Sequence, residues 1–143
     1  MTAGFWIAGG LAHGRFGALP GPPPLLAGAG AAIMWLGLAL RVWAILKLGG
    51  LFRGIVTIQD DHRLVTSGPY RWLRHPSYTG ALVASIGYGV GLGHWTSLVA
   101  LFLGWFIGLA YRIHVEESGL SRAFGSAYDE YRARTRRLIP YVY

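Results

Sequence analysis

Two polar clusters interrupt an otherwise apolar chain, and their residue types are those that could carry chemistry. The first is DDHRLVTSGPYRWLRHPSYTG, residues 60–80, which sets His62, Arg63, Arg71, Arg74 and His75 beside Tyr70 and Tyr78. Pro76 suits the first position of a helix, with His75 as the residue before it. A helix start presents free N–H groups and the positive end of the dipole, which suits a carboxylate or phosphate. His75 alone would be an ordinary cap; the convergence of Arg74, Tyr70 and Tyr78 on the same point marks a site. The second cluster is RIHVEE, residues 112–117. Arg112 and Glu116 stand one helical turn apart, about 6 Å of rise. As a helix salt bridge this order is the weaker one, worth roughly a few tenths of a kcal/mol. Glu116 and Glu117 near a helix C-terminus oppose the dipole, and a bound cation would offset that. An anion site and a cation site together would fit a zwitterionic cofactor with a further positive centre.

Other chemistries are poorly supplied. Cysteine is absent, so there is no thiolate nucleophile, disulfide or iron–sulfur site. His94 and His114 are about 30 Å apart on a helix and cannot share an ion, so no metal site is expected. No Ser/His/Asp arrangement stands out, and Ser67, Ser77 and Ser118 suit turns or caps. GYGVGLG at 87–93 follows no strand, and His94 stands where a dinucleotide-binding motif needs glycine, so these glycines serve packing.

The positioning elements follow from composition. Of 143 residues, 53 % are hydrophobic and 13 % charged, and the mean hydropathy is +0.40. A soluble domain carries about a quarter charged residues, so the chain reads as an integral membrane protein. Six Trp, eight Tyr and six Phe suit interfacial belts. The net charge of +7 resides in short loops and the tail, the pattern of the positive-inside rule and not of nucleic-acid binding. The first residues lack the basic start and cleavage site of a signal peptide, so the mature chain is expected to begin near Met1.

The expected fold is all-α: a multi-pass transmembrane bundle of three to four spans in a single domain, 1–143. The spans are placed at about 3–19, 25–47, 77–93 and 95–113, with the cofactor hinge at 60–76. The first is short for a crossing, which takes about 20 residues. GPPP at 21–24 breaks the chain before the second, Arg41 snorkels to the interface near Lys47, and Gly49-Gly50 ends it. Gly80, Ala84, Gly87 and Gly91 share one face of the third span and admit a close neighbour. A turn at Gly93-His94 makes the third and fourth spans an antiparallel hairpin, which brings the hinge and the 112–117 cluster to one membrane face. From 117 to 136 a basic amphipathic helix, with Leu120, Phe124, Tyr128 and Tyr131 on one stripe, lies along the headgroups. Arginine and lysine counting puts this face in the cytoplasm.

These motifs resemble the isoprenylcysteine carboxyl methyltransferase family of membrane enzymes. The similarity rests on LVTSGPYRWLRHPSYTG at 64–80 and RIHVEESGLSRAFGSAYDEYRARTRRLIP at 112–140, which carry R-H-P-x-Y-x-G, R-x-x-x-E-E, F-G-x-x-Y-x-x-Y and a closing I-P in order. It implies S-adenosylmethionine bound at the cytosolic face, without a Rossmann domain or a metal. By that resemblance the cofactor residues are His62, Arg63, Leu64, Val65, Tyr70, His75, Pro76, Ser77, Tyr78 and Glu116, and Arg112 serves the methyl acceptor. The acceptor would be a lipophilic small molecule or a lipidated one. Phospholipid N-methyltransferases share the E-E pair and the overall plan. IPYVY also resembles membrane sterol reductases, which use NADPH. A non-catalytic anchor whose basic tail binds anionic lipid is the reading without an enzyme.

Overall fold

The computed structural model describes residues 2–11, 17–49 and 64–139. It is helical, with α1 Thr2–Leu11, α2 Pro23–Leu48, a 3₁₀ turn Gly68–Arg71, α3 Pro76–Gly91, α4 Trp95–Phe124 and α5 Ser126–Arg134. Among the described residues there is no strand, only two isolated bridges, Ala18 with His94 and Leu73 with Arg136. The helices gather into two compact units, Met1–Ala39 with Gly80–Leu109 and Leu40–Thr79 with Ala110–Tyr143.

In the first unit, glycine sets the spacing of α2 and α3. A Cβ at Gly37 would stand 2.6 Å from the Gly80 carbonyl oxygen, and one at Gly30 would stand 2.6 Å from that of Gly87. Backbone cannot yield as a flexible side chain can, so the small-residue face is a real contact and Gly30 and Gly37 are its counterpart on α2. Leu92 and Gly93 make the turn between α3 and α4, with Gly93 at φ +72°. The single helix expected over 3–19 is corrected. α1 ends at Leu11, and the chain at 17–19 is extended, Trp95 N–H donating to Gly17 O at 2.8 Å and Leu19 N–H to Gly93 O at 2.7 Å. Gly17 at φ +101° and Pro20 keep the chain out of helical geometry at 17–20.

α2 and α4 are long and apolar enough to cross a membrane, yet only 17 % and 18 % of their most apolar stretches are buried. The core helix of a soluble domain would be mostly covered. Trp35, Leu36, Leu46, Phe102 and Ile107 are instead exposed, as a lipid-facing surface requires. α3, at 16 residues, is shorter than the other two.

The second unit holds the hinge, the end of α4 and α5. Here the helix expected over 117–136 is replaced by two. α4 runs unbroken for 30 residues to Phe124, and α5 starts afresh after Gly125. Gly125 has φ 52° and ψ −129°, a conformation open essentially to glycine. The bend folds α5 back, so Tyr128 and Tyr131 are buried while Arg132 and Arg134 remain exposed. Beyond α5 the chain lies alongside the hinge. Arg136 N–H donates to Trp72 O, Arg74 N–H to Arg136 O and His75 N–H to Arg137 O, at 3.0, 2.7 and 3.1 Å.

Candidate active site

The residue preceding Pro76 is held from both sides. Pro76 fixes φ at the first turn of α3, and the Tyr78 and Thr79 N–H groups both donate to the His75 carbonyl. The His75 ring is buried and lies between two carboxylates on α4. Nδ1 is 3.6 Å from Glu116 Oε2, and Nε2 is 3.5 Å from Glu117 Oε1. Neither is a well-formed hydrogen bond, and Nε2 is a buried nitrogen without one. One turn into α3, the Tyr78 hydroxyl donates to Glu116 Oε1, and its ring stacks on His75 with centroids 5.6 Å apart. Arg112 Nε donates to the same Glu116 oxygen at 2.9 Å, and its guanidinium lies 5.8 Å from the Tyr78 ring centre. His75, Tyr78, Arg112 and Glu116 therefore form one cluster, as the hairpin geometry predicts.

Glu117 organises a second layer. It is 7 % exposed and accepts from Arg74 Nε at 2.7 Å and from Arg137 Nε at 3.0 Å. Arg74 reaches on to the carbonyls of Thr135 and Arg132, at 2.7 and 3.2 Å, and thereby ties the tail to the hinge. Two expectations change here. Arg74 is committed to Glu117 and the tail, so it does not join His75 in facing an anion at the α3 start. Glu116 and Glu117 do not oppose a helix C-terminus either, because α4 continues past them; Arg74, Arg112 and Arg137 supply the compensating charge.

The remaining expected residues make contacts of their own. Tyr70 is buried with its hydroxyl directed to Ala44 O of α2 at 3.4 Å, and it carries the carbonyl that accepts from the Tyr131 hydroxyl at 2.8 Å. Burial pushes the Tyr131 phenol well above its ordinary range, so it stays protonated and donating at any usable pH. Ser77 is bound to Arg41, whose guanidinium donates to its carbonyl at 3.2 Å and its Oγ at 3.3 Å. Arg41 thus faces the start of α3 and does not snorkel away from it. Pro76 is fully buried at the helix start, and Leu64 and Val65 are half-buried in chain without regular secondary structure. His62 and Arg63 lie outside the described residues. Sequence reasoning overlooked the Arg74, Glu117 and Arg137 network, at which only the doubled glutamate hinted, and the separate contact of Arg41 with Ser77. Among the described residues no group of three His, Cys, Asp or Glu side chains could hold a metal ion. The two nitrogens of His75 face different carboxylates, so the ring cannot gather both around one ion.

A carboxylate, an imidazole, a phenol and a guanidinium are thus gathered at one helix start of a small helical chain, and similarity to known proteins gives its family. The model of the isoprenylcysteine carboxyl methyltransferase (ICMT) family matches residues 30–122, and the chain belongs to that family. It is 37 % identical over 119 residues to protein-S-isoprenylcysteine O-methyltransferase of Tribolium castaneum, covering 82 % of this chain and 42 % of that protein. It is 37 % identical over 115 residues to protein-S-isoprenylcysteine O-methyltransferase B of Arabidopsis thaliana, covering 79 % of this chain and 58 % of the relative. The solved structure of the eukaryotic intramembrane Ras methyltransferase ICMT superposes with a TM-score of 0.80 at 32 % identity, over 99 % of this chain and 51 % of that one. The chain thus spans about half the length of the relatives it matches.

Proposed function

We propose that the protein is a membrane-embedded S-adenosylmethionine-dependent methyltransferase that methylates the carboxylate of a prenyl-cysteine-like or other lipid-like acceptor. The observation that carries this reading is the meeting of His75, Tyr78 and Glu116 with Arg112. These are the residues that family resemblance assigns to donor and acceptor, and they lie within one cluster. S-adenosylmethionine, when bound, supplies a methyl group already activated by its sulfonium.

The donor set fits that molecule. Glu116 offers a carboxylate to an amino or hydroxyl group, and His75 Nδ1 and the Tyr78 hydroxyl stand beside that carboxylate as further polar groups. Leu64, Val65, Tyr70, Pro76 and Ser77, with His62 and Arg63 outside the described residues, are the further donor-binding residues that the family resemblance implies. Arg112 holds the acceptor. A guanidinium stays charged at any working pH and matches a carboxylate in bidentate geometry, and this one is 43 % exposed with its Nε held by Glu116. Catalysis then rests on orientation and exclusion of water, for which the buried His75 and Glu117 layer provides a rigid base. Carboxylate methylation releases no proton, which suits a site whose titratable groups are tied to one another. α2, α3 and α4 are read as spans, with the site, α5 and the basic tail on the cytoplasmic face.

Incubation of the purified protein with labelled donor and an S-prenylated cysteine tests this, with its methyl ester and an amine lipid in parallel. Label on the free acid alone is expected. Label on the amine lipid alone would transfer the assignment to the N-methyltransferases.

A further inference from the structure

A cluster of arginines outside the site forms from two segments distant in sequence. The tail lies along the hinge, Arg136 N–H donating to Trp72 O and Leu73 bridging Arg136, which sets Arg71 and Trp72 beside Arg136. Arg134 closes α5 immediately before. All four side chains are exposed. The Arg71 guanidinium lies 4.5 Å above the Trp72 ring, and Trp72 is itself 46 % exposed. Among the described residues the guanidinium groups of Arg71, Arg132, Arg134 and Arg136 form no ion pair. This contrasts with Arg74, Arg112 and Arg137, each of which is paired with a glutamate. Asp129 stands in the first turn of α5, where the helix dipole favours acids, and Glu130 stands mid-helix one turn before Arg134; neither enters an ion pair with these arginines.

We infer that Arg71, Arg134 and Arg136, with Trp72, bind the phosphate of an anionic membrane lipid. Guanidinium groups recognise phosphate in bidentate fashion. An exposed indole beside them suits the headgroup boundary, where an apolar ring meets a polar edge. Exposed Ile139 continues the apolar margin past the arginines. A nucleic acid or acidic protein would be met by the charges but would leave Trp72 and Ile139 without an apolar partner. The lipid joins hinge to tail from outside, across the same two segments that Arg74 and Glu117 join from within. None of the three arginines belongs to the methyl-transfer cluster, so this inference stands or falls independently of that reading.

The test is a titration of the full chain in neutral detergent with dioctanoyl phosphatidylglycerol. Dioctanoyl phosphatidylcholine, inorganic phosphate and a single-stranded RNA serve as separate arms. Phosphatidylglycerol is expected to bind more tightly than the other three, with an affinity that falls as salt is raised. Each arginine near an anionic headgroup is worth roughly a fivefold change in affinity. R71Q/R134Q/R136Q should therefore weaken binding by about a hundredfold, and R71K/R134K/R136K, which keeps the charge but loses the fork, should fall between that variant and the unaltered protein. Equal binding of the two lipids, or an unchanged affinity in the glutamine variant, would overturn the inference. So would phosphate or RNA binding as tightly as the anionic lipid.

Discussion

Glu116 and Glu117 are neighbours in sequence with different work. Glu116 faces Tyr78, Arg112 and His75, whereas Glu117 faces Arg74, Arg137 and the far side of His75. Arg112→Lys keeps a cation but loses the fork. Donor affinity should change by less than about threefold, while turnover falls on the order of a hundredfold, a comparison made by calorimetry against a labelled-donor assay. Equal loss of both would make Arg112 a structural residue. Glu117→Gln leaves Arg74 buried beside a neutral group, and removing one partner of a buried pair costs on the order of 3 kcal/mol. A lowered thermal midpoint in detergent, before any effect on chemistry, is the outcome to look for. The four-residue spacing of Arg112 and Glu116 was legible because a helix makes it local. The Arg74–Glu117 pair, 43 positions apart, was not, because nothing in either segment names its partner.

At the level of elements, glycine does two separate jobs. On α2 and α3 it allows backbones to touch. Gly37→Val would drive a branched side chain against the Gly80 carbonyl and the Ala84 backbone. Overpacking of this kind costs about 1–3 kcal/mol, occasionally more, so the variant should melt earlier while Gly28→Ala, which meets nothing within 4 Å, should not. At Gly125 the need is conformational. No neighbour would obstruct a Cβ there, yet Gly125→Ala forces a side chain into strained backbone at about 1–3 kcal/mol. Proteolysis should then release the segment from α5 onward sooner than in the unaltered protein. The small-residue face of α3 was visible from periodicity, as was the Pro76 helix start. The break between α4 and α5 was not, because Leu120, Phe124, Tyr128 and Tyr131 keep one helical period straight across it. Periodicity reports which side chains want burial and is blind to a φ reversal that satisfies them on two helices instead of one.

For the whole molecule, low charge, unburied apolar helices and arginines gathered near the hinge and tail give one picture, a protein whose solvent is largely lipid. That much was readable from composition, because a chain with 13 % charged residues cannot clothe itself in water. How far the first segment runs as helix was not, since Gly17 and the His94 bridge act at long range. The central claim is that His75, Tyr78 and Glu116 form the binding site of a methyl donor. Titration calorimetry of the detergent-purified protein with S-adenosylmethionine, and with NADPH in parallel, tests it most directly. The account predicts micromolar binding of S-adenosylmethionine that Glu116→Ala and His75→Ala each abolish without lowering the thermal midpoint below the assay temperature, and no binding of NADPH. Undiminished S-adenosylmethionine binding in both variants, or binding of NADPH alone, would contradict it.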